Sequence, residues 1–341
     1  LAFACVLLAL ASATHAAPLA NGDSVLGVIS IPGEAHTWEF SATDGDLVML
    51  RVAETTDPGV YPVIELAYAG GGSIETARAN TVATIEYPVT TTGDYTVTVS
   101  DFFPTGTGPY ELHLARIPGA NEYGLLANDS RNAGSIRVGD LDTHTLTATD
   151  GDHISLRMAN INSSVPFGPR VELYDPSGVR VAQHSGITIA TVQWPAEATG
   201  TYTVLLRDDR FSGINDYGAG AYELFVARVP GGNEHGALDD DANHDEEIIL
   251  GDLDTFTFTG NSDQHVTLRI ADLYAADLTP RIELYDPSGA QLDFSTGDDV
   301  ATIECDLDAT GTFSVLVRDD SISGGDAIAS QTALRAPSGG A

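Results

Sequence analysis

One short stretch occurs three times and constrains the whole chain: Thr92-Gly-Asp-Tyr-Thr-Val-Thr-Val-Ser-Asp101, Thr199-Gly-Thr-Tyr-Thr-Val-Leu-Leu-Arg-Asp-Asp209 and Thr310-Gly-Thr-Phe-Ser-Val-Leu-Val-Arg-Asp-Asp320. Each reads as a tight turn at the glycine followed by a strand that ends in charge. Gly93, Gly200 and Gly311 are separated by about 110 residues each time. Solenoid repeats run about 20 to 50 residues, whereas about 100 to 150 residues make one independent domain. The chain is therefore read as three copies of one domain.

The flanking sequence repeats with it. His36–Phe40, Leu47–Val52, Val63–Tyr68, Ala83–Tyr87 and Tyr110–Arg116 surround the first copy as short alternating segments. Asp142–Ala148, His153–Met158, Arg170–Tyr174, Thr188–Trp194 and Tyr222–Arg228 surround the second. Asp175-Pro-Ser-Gly178 and Asp286-Pro-Ser-Gly289 carry proline and glycine where a type I turn reverses the chain. Seven or eight short strands per unit, without a helical period, predict an all-β chain of three tandem antiparallel β-sandwich domains. The boundaries are residues 18–118, 119–230 and 231–341, with the last strand of the third unit degenerate or truncated. Ile117–Leu126 and Val229–Leu238 are linkers by their Pro and Gly content, yet they match in length and wording. A free spacer has no reason to match, so each is expected to pack on its neighbours.

Charge narrows the function. The chain has 49 acidic residues against 15 basic ones, and every basic residue is arginine. A field of that sign repels phosphate backbones and anionic lipid, so no nucleic-acid partner is expected. Divalent cations, basic ligands or solubility in high salt suit it. Residues 1–17 form an apolar run followed by small residues, the shape of a signal peptide with its cleavage site after Ala16 or Ala17. Its positive start is missing, so the sequence is expected to be truncated there. The run is too short for a membrane span, and the protein is expected to be secreted, extracellular or at the cell surface. Cys305 aligns with Tyr87 and Trp194, which marks a packing position and not a reactive thiol.

The ordered set Gly251-Asp-Leu-Asp254, Leu268-Arg269, Glu283-Leu-Tyr-Asp-Pro-Ser-Gly289 and Thr310-Gly-Thr-Phe-Ser-Val315, with its counterpart in the second unit, resembles the bacterial pre-peptidase C-terminal domains. Those are jelly-roll-like sandwiches related to the collagen-binding modules of clostridial collagenases. The resemblance covers all three units and is strongest in the second and third. It implies a non-catalytic module appended to secreted hydrolases, which sometimes binds calcium where linker meets sandwich.

Calcium also has support in the residues. A hard divalent cation takes six to eight oxygens, several of them from carboxylates. The first linker brings Asn121, Glu122 and Asp129 toward Asp140 and Asp142; the second brings Asn233, Glu234 and Asp239 toward Asp252 and Asp254. The competing reading is that these Asp residues cap turns through nearby amides. No catalytic nucleophile or base recurs, so the expectation is a non-enzymatic monomer with an extracellular polymer, protein or polysaccharide, as partner, the alternatives being a structural surface or stalk protein or a fragment of a secreted peptidase. The repeated arginines, Arg51/Arg157/Arg269, Arg116/Arg228 and Arg207/Arg318, are expected to pair with carboxylates such as Glu172 or Glu283.

Overall fold

The thrice-repeated stretch forms the last strand but one of its unit and lies inside one sheet. The structure, a computed structural model, describes residues 17–56, 59–103, 105–161, 167–209, 218–239, 243–272, 278–321 and 330–335. Most of the expected leader, residues 1–16, lies outside the described residues. Unit 1 contains β1 (Ala17–Pro18), β2 (Ser24–Ile29), β3 (Ala35–Ala42), β4 (Leu47–Glu54), β5 (Pro62–Tyr68), β6 (Ser73–Arg78), β7 (Val82–Pro88), β8 (Gly93–Asp101) and β9 (Gly108–Ile117). Unit 2 contains β10 (Ser130–Ile136), β11 (Asp142–Ala148), β12 (His153–Asn160), β13 (Pro169–Tyr174), β14 (Arg180–Ser185), β15 (Ile189–Pro195), β16 (Gly200–Asp208) and β17 (Gly220–Val229). Unit 3 contains β18 (Asn243–Ile248), β19 (Asp254–Gly260), β20 (His265–Asp272), β21 (Pro280–Tyr285), β22 (Gln291–Thr296), β23 (Val300–Asp306), β24 (Gly311–Asp319) and β25 (Ser330–Arg335).

The sheet orders in unit 2 are β10-β17-β12-β15 and β11-β16-β13-β14, and units 1 and 3 repeat them, with β1 added beside β3 in unit 1. First, eighth, third and sixth strands thus face second, seventh, fourth and fifth, which is the jelly-roll arrangement of an antiparallel sandwich. The last strand of unit 3 is present, and among the described residues β25 meets β20 over Arg269–Asp272 in the manner of β17 and β12.

Alternation builds each core. Tyr202, Val204 and Leu206 of β16 point between the sheets of unit 2 with Leu156, Leu173 and Leu224. Tyr202 donates its hydroxyl proton to the Ala198 carbonyl at 2.9 Å, and Tyr95 does the same to Thr91. Phe313 has no hydroxyl and stacks on Phe258, with ring centroids 5.3 Å apart. Cys305 packs against the unit 3 core, as a packing position should.

The linkers pack as expected. Leu126 donates its amide proton to Thr145 O and Leu238 to Thr257 O, both at 2.7 Å, which seats each leucine in the following core. Leu19 plays the same part beside β3, donating to Glu39 O at 2.8 Å.

The units stack face to face. Met49, Ala115 and Ile117 on the outer face of one unit 1 sheet bury against Leu141, Tyr174 and Leu205 of unit 2. Ala227, Val229 and Phe225 of unit 2 bury in the same manner against Leu253, Tyr285 and Leu316 of unit 3. The turn motifs are part of these contacts. Gly178, at φ 88°, faces Pro118 so closely that a Cβ would lie 2.8 Å from its Cδ; Gly289, at φ 91°, faces Pro230 at the same distance. A side chain there would be strained by its backbone and would also wedge the junction.

The arginine expectation holds in part. Nε and Nη2 of Arg207 both reach Oε1 of buried Glu172, at 2.9 and 2.8 Å, while Arg170 and Arg180 pair with the same carboxylate. Arg318 and Arg281 hold Glu283. Arg116 pairs with Asp46 and Arg228 with Asp152. Arg51 and Arg157 instead donate to backbone carbonyls of the next unit, Asp140 O and Asp252 O, each at 3.1 Å. Their strand position faces the docked turn of the neighbour, whose carbonyl would otherwise be buried without a donor. The matching Arg269 is exposed.

Candidate metal centre at the unit junctions

Each junction gathers the acids that the linker and the Gly-Asp-Leu-Asp turn bring together, but in different company. At the first, Asp142 opens β11 and is fully buried. Its Oδ2 accepts the Tyr222 hydroxyl proton at 2.7 Å, and its Oδ1 has no hydrogen-bond partner. Burial, reinforced by nearby Asp140, pushes its carboxyl up to about 8. Glu122 is anchored by its amide, which donates to Thr143 Oγ1 at 3.0 Å. Burial and then Asp140 push its carboxyl up to about 7. Both shifts have the direction expected when like charges share a desolvated site.

Asp140 is occupied differently. Its Oδ2 accepts the Arg137 amide proton at 3.0 Å, and its Oδ1 lies 3.2 Å from His113 Nδ1. It is a turn cap and ion-pair partner, as the competing reading holds. Asn121 is exposed at the start of the linker.

The second junction holds one member that the sequence groups with the first. Asp129, at φ 52°, accepts the Asn233 amide proton at 2.8 Å and the Thr255 hydroxyl proton at 3.0 Å. It precedes β10, which runs antiparallel beside β17, so it sits where the chain leaves for the second linker. Asn233 is held there through its Oδ1, which accepts from Thr257 Oγ1 at 2.9 Å. Asp129, Glu234 and Asp252 line a cavity of about 100 Å³ together with Arg131, Phe225 and Leu253. Burial, then Asp254, pushes Asp252 up to about 6, although its Oδ2 also caps the Ile249 amide. Burial likewise lifts Glu234 to about 7. Asp239 is exposed beyond Leu238 and outside this group.

Asp254 is buried, with Oδ1 3.1 Å from His235 Nε2 and Oδ2 without a hydrogen-bond partner. The hydrogen bond to Asp254 raises the His235 imidazole to about 9. Ligand atoms of Glu234, His235 and Asp254 lie within 4.8 Å of one another. His235 and Glu246, whose Oε1 is 3.5 Å from His235 Nδ1, were not among the residues singled out by sequence. The available signal was the comparison of linkers, which sets His235 against Tyr123. Buried carboxylate oxygens without donors are the feature a cation would answer, and both junctions carry one.

No protein-family model matches the chain, and no curated protein matches it. Among solved structures, the pre-peptidase C-terminal domain of a Bacillus anthracis collagenase is similar at 17% identity and a TM-score of 0.26, covering 29% of this chain and 94% of that one. A CUB1-EGF-CUB2 segment of human MASP-1/3 is similar at 13% identity and a TM-score of 0.21, covering 62% and 94%. A Clostridium perfringens ZmpB structure, comprising the M60 catalytic domain with two CBM51 domains, gives 8% identity and a TM-score of 0.18, covering 89% and 33%. At these scores the likenesses carry no argument about function, and the jelly-roll assignment rests on the strand order itself.

Proposed function

We propose that the chain is an extracellular, non-catalytic accessory module whose three sandwiches form a fixed stack reinforced by divalent cations at the junctions. The observation that carries this is the repeated junction. An apolar sheet face, a glycine turn and a buried arginine-to-carbonyl bond join unit 1 to unit 2 and unit 2 to unit 3 in the same way. A flexible string of domains needs none of these, since tethered domains move freely unless their interface is large and apolar. The leader and the acidity support an exported location. The oxygen-only group of Glu122 and Asp142 suits calcium at the first junction, and Glu234 and Asp254 are its counterparts at the second.

A binding role has a specific face. Tyr61, Phe102 and Phe103 are exposed together at one end of unit 1, with Tyr61 and Phe103 ring centroids 4.9 Å apart and the Arg78 guanidinium 4.4 Å from the Phe102 ring centre. Exposed aromatic clusters of this kind serve protein or sugar partners.

The test is small-angle scattering and thermal unfolding of the whole chain, with calcium, with magnesium and with chelator. A fixed stack gives one elongated shape in all three, and calcium raises the melting temperature more than magnesium does. Scattering from a broad ensemble would sink the stack. Equal effects of the two ions would sink the calcium reading alone.

A further inference from the structure

Unit 3 differs from units 1 and 2 at two register-paired positions, and its linker differs from that of unit 2 at a third. In unit 2 the Tyr222 ring lies over Gly134, its register partner, and the hydroxyl bonds Asp142. In unit 1 Tyr110 lies over Gly27, and its hydroxyl meets His36 Nδ1 at 2.6 Å. A Cβ on either glycine would run into the tyrosine ring. Unit 3 has Thr332 at the tyrosine position and Glu246 at the glycine position, paired in the same register. The linker residue that is Tyr123 before unit 2 is His235 before unit 3. A carboxylate and an imidazole, Glu246 and His235, occupy this end of the sandwich.

The geometry points to a site for a zinc-class divalent cation at the second junction, held by Glu234, His235 and Asp254. Imidazole nitrogen with carboxylate oxygen is a zinc-type ligand set, whereas calcium and magnesium take oxygen. Tetrahedral ligands at about 2.0 to 2.2 Å from the ion stand about 3.3 Å apart. His235 Nε2 and Asp254 Oδ1 are 3.1 Å apart, and the three ligand atoms lie within 4.8 Å, a spread that side-chain rotation at the rim closes. The buried Asp254 Oδ2 without a hydrogen-bond partner is an independent sign of a missing ligand. Glu246 completes the arrangement. With Nε2 on the ion, the Nδ1 proton of His235 points to Glu246 Oε1, 3.5 Å away, and such a carboxylate orients a metal-bound histidine and makes it more basic. This inference rests on reading the junctions as cation sites and assigns the second one its ion.

The test titrates zinc chloride into the metal-free full chain by calorimetry and records the visible spectrum of the cobalt form. The expected result is one high-affinity site and the intense bands of tetrahedral cobalt. His235→Ala loses affinity at least 100-fold, Glu246→Gln loses 10- to 100-fold, and Tyr123→Phe at the first junction changes nothing. Calcium stabilisation measured on His235→Ala separates the two readings, because its survival leaves the first junction's oxygen site intact. If His235→Ala does not fold, His235→Gln and the wild-type cobalt spectrum decide. Zinc binding that is absent from the wild type, or undiminished in the histidine variant, overturns the proposal.

Discussion

The two junctions use one frame and fill it with opposite chemistry. Around the first, Glu111, His113, Arg137 and Asp140 make a polar string, with Arg137 Nη2 3.0 Å from Glu111 Oε1 and His113 3.2 Å from Asp140. Around the second, the register and the turn motif put Glu223, Phe225, Ile249 and Asp252 in those places. Phe225, Leu253 and Ile249 make that junction apolar, and Asp252 keeps only turn amides as donors. Buried ion pairs and well-packed apolar groups of similar volume are close to interchangeable in stability. Both solutions therefore hold units together, and at the second the acids Asp129, Glu234 and Asp252 line a cavity beside Phe225 and Leu253.

The largest expected effect separates the ion-pair centres of the two docked faces. Glu172 faces three arginines and the Tyr174 hydroxyl, whereas Glu283 faces two arginines, Tyr285 and Gln193. Glu172→Ala strips the shared acceptor from three part-exposed arginines and from the buried Tyr174 hydroxyl, and should cost about 3 kcal/mol in urea unfolding, more than Glu283→Ala. Acidity sharpens the comparison. Burial opposes ionisation of Glu172, yet Arg207, Tyr174 and Arg170 outweigh it and hold the carboxyl at about 2. A depressed folded value adds stability above the ordinary carboxylate range, and that stability drains away as pH falls toward 2. The gap between wild type and Glu172→Gln should shrink steadily over that window; a gap unchanged at pH 2 would refute the pairing.

A middle-sized effect is expected at Gly134. Alanine there meets the Tyr222 ring and should cost about 1 to 3 kcal/mol through overpacking. Glu246→Ala, at the same position in unit 3, should cost less, since no tyrosine ring covers it; equal losses in thermal melts would contradict the exchange. The smallest effect belongs to the rim. Arg131 pairs with Glu223 while more than half exposed, so Arg131→Ala should change stability by less than about 1 kcal/mol. A larger drop would show that the second junction depends on that ion pair.

Much of this was legible because it is local. Strand alternation, the Asp-Pro-Ser-Gly turns and the matched linkers each follow from a few adjacent residues, and the structure places them as read. The acids were legible only as a pool. Glu234 and Asp254 come together with His235, whereas Asp140 proves to be a turn cap with ion partners and Asp239 stands apart. Arg51 and Arg157 were read as partners of carboxylates, and they bond carbonyls because another unit's turn covers them.

The sequence by itself determined an all-β chain with a strand pattern repeated three times and linkers that pack, since turn chemistry and period-two burial act over a few residues. Only the tertiary structure decided which acid meets which. Asp129 follows the first linker in sequence but serves the second junction, because an antiparallel neighbour returns the chain to the place where it began. It also decided why the Gly-Asp-Leu-Asp and Asp-Pro-Ser-Gly motifs mark units 2 and 3. They form the face that docks on the preceding sandwich, and the corresponding glycines of unit 1, Gly33 and Gly71, have nothing within 4 Å. Even the repeated strand takes its second role from the stack. Leu205 and Leu316 face a neighbouring unit, while Thr98 of the first copy pairs with Thr37 across its own sheet.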